Sequence, residues 1–163
     1  CWQLALENLK TPSVIALTRQ NLDPVRKEFI KKNKCSMGAY EVFRSNKDIN
    51  LTIFASGSEV NLALNVCHKL ATENIYSKVI SVPSQELFEQ QYSEYKDEIL
   101  NETDFAITIE AGSTSSWHKF IRKKGLNFGI DEFGKSAPFK EIYKYFGLTV
   151  ENISKKTKNL MKN

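Results

Sequence analysis

The chain has 163 residues, enough for one domain or for one domain with part of another. Hydrophobic residues make up 41% and charged residues 26%, so it can bury a core, while a net charge of +4 is too mild for a nucleic-acid footprint. No apolar run approaches a membrane span and no secretory signal is present; three cysteines without metal-ligand spacing, Cys1, Cys35 and Cys67, fit a reduced, cytoplasmic compartment.

Residues 1–10, CWQLALENLK, predict the end of a helix, stopped at Thr11-Pro12 because proline disfavours helix in the residue before it. The first residue is Cys1 rather than Met and falls inside this helical pattern, so the chain reads as a fragment cut from something longer. Val14–Leu17 reads as a buried strand that ends abruptly in Thr18, Arg19, Gln20 and Asn21, side chains suited to a site or a surface. From Asp23 to Lys34 the chain carries Pro24 and the basic run RKEFIKKNK. A solvated linker is preferred there over an anion site, and it marks a domain boundary.

Beyond the linker the elements alternate. AYEVF (39–43) and LTIFA (51–55), separated by polar RSNKDIN, predict an antiparallel pair. Ser56 and Glu59 have capping-box spacing before a helix whose buried stripe is Val60, Ala63, Leu64, Cys67, Leu70 and Ala71. KVISV (78–82) is a strand, and Pro83-Ser84 opens a helical stretch, with a break, to Leu100. FAITI (105–109) is a strand, SSWHKFIRKKG a helix ended by Gly125, and NFGI a short strand before the loop DEFGKSAP. Pro138 sits near the first turn of a helix through Phe146, and Thr149 caps a last helix, Val150–Met161, whose second half carries Lys155, Lys156 and Lys158, with Lys162 just beyond. The alternation predicts an α/β fold: three layers, α/β/α, around a mostly parallel sheet with an antiparallel edge strand.

Open α/β sheets bind ligands at the carboxyl ends of their strands. Three turns qualify: Ser56-Gly57-Ser58, Glu110-Ala111-Gly112-Ser113 and Phe133-Gly134-Lys135-Ser136. Each offers backbone N–H groups to an anion, and each is also what a short capped strand-to-helix turn looks like. Neither the dinucleotide G-x-G-x-x-G nor the phosphate-loop G-x-x-x-x-G-K-[ST] pattern occurs. His68 and His118 lack ligand-spaced partners and read as surface or packing residues. Glu110, closing an apolar strand, is the one carboxylate whose position suggests more than solvation; helix capping and a lysine pair are its other readings. No nucleophile–base pair assembles from the sequence.

Five stretches taken together, IALTRQNL, FASGSEVNLAL, VISVPSQELFEQQ, IEAGSTSSWHKF and GIDEFGKSAPFKEIYKYFGLTVENI, resemble in order the end of a transketolase, from about Trp2 to the last helix. The resemblance implies that residues 1–23 close the middle, pyrimidine-binding domain and that residues 24–163 are the C-terminal domain. It implies a transferase of the pentose phosphate pathway, moving a two-carbon ketol unit from a ketose phosphate to an aldose phosphate. That reaction uses thiamine diphosphate and a divalent metal (Mg or Ca). The family holds both in its first two domains, and the G-D-G metal motif is not in this sequence. The expectation is therefore a fragment without catalytic, cofactor-binding or metal-binding residues, inactive alone and serving assembly and stability.

One family site residue falls inside. The arginine of the family's S-R-Q-N motif matches Arg19, where the resemblance implies contact with the terminal phosphate of the substrate. A planar guanidinium suits that task, because it holds two phosphate oxygens at once and stays charged. A carboxylate partner is the competing reading for Arg19. Thr18 replaces the motif's serine and keeps its hydroxyl; Asp23 between Leu22 and Pro24 is a second departure, at the entry to the linker. The implied partners are sugar phosphates and a second copy in a homodimer, with no nucleic acid and no membrane. Two related readings are the C-terminal domain of a deoxyxylulose-phosphate synthase or of a 2-oxo acid dehydrogenase β subunit; TRQNL and GIDEFGKSAP suit transketolase better. A stand-alone regulatory anion-binding module is the alternative from another class.

Overall fold

A computed structural model describes residues 1–26 and 29–162; Lys27 and Glu28 of the basic run lie outside the described residues. The first helix, α1 (Trp2–Glu7), ends before Pro12 as expected. The expected strand over Val14–Leu17 does not form. Residues 12–18 have no regular structure, Val14 is 95% exposed and Leu17 69%, because no sheet edge stands beside them to take their backbone groups.

The sheet is built from β1 (Tyr40–Arg44), β2 (Leu51–Ala55), β3 (Ser77–Ser81), β4 (Phe105–Ile109) and β5 (Lys124–Phe128), in the order β1-β3-β2-β4-β5. β3, β2, β4 and β5 run parallel, and β1 is an antiparallel edge strand. The edge strand is as expected but its partner is not. β1 pairs with β3, Tyr40 opposite Ser81, with a register shift between Glu41 and Phe43. Both edges of β2 are taken by parallel neighbours, which leaves no room for a hairpin with β1.

Helices cover both faces. On one side α2 (Glu59–Ala71) and α6 (Val150–Lys162) seal a core of Ile53, Val79, Ile107, Ile109, Val66, Leu70 and Ile153. On the other, α3 (Gln85–Glu89) and α4 (Ser93–Leu100) help cover Phe54, Ile80, Ala106, Phe88, Leu100, Trp117 and Phe120. Neighbouring strand residues point to opposite faces, so Ile53 and Phe54, or Val79 and Ile80, fall in different cores. Three layers result, as the alternation of elements requires. The last helical element of the chain's middle, α5 (Phe139–Tyr145), lies between the exposed stretch 131–138 and α6.

Two local expectations fail for identifiable reasons. In place of a helix over SSWHKFIRKKG, residues 114–120 form two short 3₁₀ turns, Thr114–Ser116 and His118–Phe120, which drive both Trp117 and Phe120 into the second core, and Lys124 and Gly125 begin β5. Gly125 is no helix cap: it lies in β5, where a Cβ would come within 2.2 Å of the Ala106 carbonyl oxygen. The buried stripe of α2 includes Val66 and Glu59, whereas Leu64 and Ala71 are only half-buried. Thr149 does cap α6, its Oγ1 accepting from the Asn152 N–H at 3.3 Å. No helix of the described residues is long and apolar enough to cross a membrane.

Candidate functional site

Parallel strands deliver their carboxyl ends to one edge of the sheet, and two of the three candidate turns meet there. Ala55 and Ile109 are register partners, so the residues that follow them, Ser56 and Glu110, emerge side by side. Ser56 Oγ donates to Glu110 Oε2 at 2.5 Å. The capping box is not made: Ser58 is the N-cap residue of α2 without a side-chain cap bond, and Ser56 spends its hydroxyl on Glu110. Ser58 Oγ instead donates to Glu59 Oε1 at 2.7 Å, and Tyr143 Oη of α5 donates to the same oxygen. Glu59 is 4% exposed, in the first turn of α2, where the helix's positive end suits a carboxylate.

The electrostatics follow from burial. Glu110 is half-buried, and desolvation raises its pKa most; the Ser56 bond opposes the rise and the charge of Glu59 adds to it. Tyr143 is pushed well above a free phenol by burial first, then by its bond to Glu59 and that residue's charge.

Beside this cluster opens a cleft of about 500 Å³ lined by Ser56, Ser84, Gln85, Glu110, Ser113 and Trp117, among others. Among the described residues its charged lining groups are Glu86 and Glu110, with no lysine or arginine. The walls offer hydroxyls and carboxylates, a poor match to an anion. The third candidate turn stays apart: residues 131–141 are all exposed, and Lys135 lies over the Tyr145 ring at 5.3 Å.

The histidines remain separate. His68 packs edge-on against Phe43 at 4.9 Å, and His118 Nδ1 faces the Asn127 amide nitrogen at 3.0 Å. Among the described residues no three His, Cys, Asp or Glu side chains converge as metal ligands. Arg19 is exposed in the irregular segment after α1 and makes no ion pair among the described residues; Thr18 Oγ1 accepts from the Gln20 N–H at 3.1 Å. Sequence reasoning missed Tyr143, which looks like any aromatic on an amphipathic helix; its partner lies 84 residues away and leaves no local signal.

Comparison with known proteins adds the family. Residues 38–149 match the model of the transketolase-like TK C-terminal domain. The chain is 41% identical over 162 residues to a transketolase of Staphylococcus epidermidis and 38% identical over 160 residues to a probable transketolase of Streptococcus pneumoniae. Each alignment covers 98% of this chain and 24% of the relative, so the chain spans about a quarter of their length. The solved structure of transketolase from Leishmania mexicana superposes with a TM-score of 0.87 at 36% identity, over 99% of this chain and 23% of that one. The chain belongs to the transketolase family and carries its C-terminal domain.

Proposed function

We propose that this chain is the C-terminal part of a transferase that moves a two-carbon ketol unit between sugar phosphates, and that Arg19 is its contribution to the substrate pocket. The observation that carries the reading is the span of the similarity. The family domain begins at residue 38, yet the alignment to transketolases covers 98% of the chain, the Arg19 segment with it. On this reading residues 1–23 belong to the domain before the linker and residues 24–163 form the C-terminal domain, whose role is assembly and stability. An exposed guanidinium without an ion-pair partner among the described residues is available to a phosphate.

Thiamine diphosphate and a divalent metal would supply the carbanion chemistry of the complete enzyme. The residues here do not fit either group: no three metal-ligating side chains converge among the described residues, and the cleft has no cation to meet a diphosphate. The chain's own part in the reaction is therefore binding and positioning. Arg19 would anchor the remote phosphate and so hold the reacting carbons in place. The complete enzyme is proposed to be a cytoplasmic homodimer.

The test is Arg19→Ala in the complete enzyme. Loss of a charge-assisted phosphate contact should lower kcat/KM for phosphorylated acceptors by about ten- to a hundredfold. Unphosphorylated acceptors should change little. Equal losses on both substrate classes would remove Arg19 from the phosphate site.

A further inference from the structure

Two carboxylates sit together at the carboxyl edge of the sheet, and neither makes an ion pair among the described residues. Glu59 opens α2 and receives two hydroxyl donors, Ser58 and Tyr143. Glu110 follows β4 and receives one, Ser56. The helix start compensates Glu59, whereas nothing comparable compensates Glu110.

Among the described residues Tyr143 makes the one side-chain hydrogen bond from this cluster to α5. That helix has no buried residue, and the eleven positions before and into it, 131–141, are all exposed. Its attachment rests on half-buried Tyr143 and Phe146, which pack against the α2–α6 core, and on the phenol's bond to Glu59. An element held by so few buried contacts opens at the low end of the stability range.

We propose that the Tyr143–Glu59 hydrogen bond is a latch holding α5 and the loop before it against the strand ends, and that loss of a proton from Glu110 releases it. A second carboxylate charge in this half-buried, cation-free pocket repels Glu59 and draws water into the joint, and the phenol loses its acceptor. The groups facing Glu110 are known from each side. Ser56 comes from the loop after β2, Glu59 from α2 and Tyr143 from α5, while towards β5 its backbone N–H bonds the Phe128 carbonyl. On the cleft side Glu86 is a further carboxylate, and beyond the rim Asp131 is held by Ser113 and Thr114 with His118 near it. None of these groups is a lysine or arginine, and His118 lies beside Asp131.

The direction of the switch follows from Glu110. Its folded-state pKa is raised, so the latched arrangement is fully favoured below the ordinary carboxylate range and loosens as pH rises through the raised value.

Amide hydrogen exchange of residues 139–147, referenced to α6 in the same sample of the full chain, tests this. From below the ordinary carboxylate range, about pH 4, to about pH 8, after correction for intrinsic exchange, protection should fall about ten- to a hundredfold, the size of one hydrogen bond to a charged acceptor. Glu110→Gln keeps an acceptor for Ser56 but cannot ionise, and its profile should stay flat and protected. Tyr143→Phe removes the phenol's bond to Glu59 while leaving both carboxylates in the chain, and should be poorly protected at every pH. A flat wild-type profile, a Gln variant that follows wild type, or a Phe variant that keeps its protection would each overturn the latch.

Discussion

Lys78 of β3 and Glu102, just past α4, form an ion pair at 2.6 Å in which the lysine side chain is 2% exposed. The ammonium also donates to the Glu98 carbonyl at 3.3 Å. Arg44, at the end of β1, bonds both oxygens of Glu102 at 2.6 and 3.0 Å and reaches back to Glu41 at 2.7 Å. A buried charge needs such partners, because removing one leaves the other desolvated and alone. The pair thus ties the edge strand, its neighbour and the end of a covering helix together.

Acid should therefore weaken the fold through Glu102. Bonds from Arg44 first, and then from Lys78, pull its carboxyl down to about 2, opposed by partial burial. A depressed folded-state pKa contributes stability that is present above the ordinary carboxylate value and lost as pH falls towards about 2. Glu102 is about a third exposed, so solvent screening leaves on the order of 1–2 kcal/mol of this linkage. Glu102→Gln should cost about 1–2 kcal/mol at neutral pH, since Lys78 and Arg44 keep only neutral acceptors there, and the gap to wild type should close on acidification. Urea midpoints across the acid range would show it; a constant gap would place the cost elsewhere.

Gly38→Ala should be among the most damaging single-atom additions. Gly38 has φ +73°, and a Cβ there would meet the Phe88 nitrogen at 2.0 Å and the Ser84 carbonyl oxygen at 2.6 Å. The obstacles are backbone, which cannot step aside as a side-chain tip can. Left-handed strain and overpacking together should cost about 2–4 kcal/mol, read as a lower urea midpoint with unchanged slope.

Phe120→Ala should empty the centre of the second core. Phe120 is fully buried, with ring centroids 5.2 Å from Phe54 and Trp117 and 5.7 Å from Phe88. Losing its surface and leaving a cavity should cost about 3–5 kcal/mol in equilibrium unfolding. A loss under about 1 kcal/mol would mean that the 3₁₀ turns collapse inward to refill the space.

What the sequence revealed tracks how local each signal is. LTIFA and FAITI coincide with β2 and β4 because parallel strands buried on both faces are short apolar runs. The site was half legible: Ser56 and Glu110 stood out as strand-end residues, and their bond needs only that β2 and β4 be neighbours. Long-range choices were hidden. Nothing in AYEVF says that β1 will pass over β2 to pair with β3, and nothing near Tyr143 points to Glu59. Val14–Leu17 misled for the opposite reason: a short apolar run makes a strand only where a partner edge exists.

The last prediction concerns a buried hydroxyl. Ser154 of α6 is 2% exposed and its Oγ has no hydrogen-bond partner among the described residues. On the same helix Thr157, fully buried, donates its hydroxyl to the Ile153 carbonyl at 2.8 Å. An orphaned polar group costs its desolvation without return, and alanine is also the better helix former. Ser154→Ala should therefore raise stability by about 1 kcal/mol, whereas Thr157→Val, which removes a satisfied bond, should lower it by about the same amount. Both would be read from urea midpoints at constant slope. If Ser154→Ala loses stability instead, a buried water must satisfy the hydroxyl, and the two positions would then fall under the same rule.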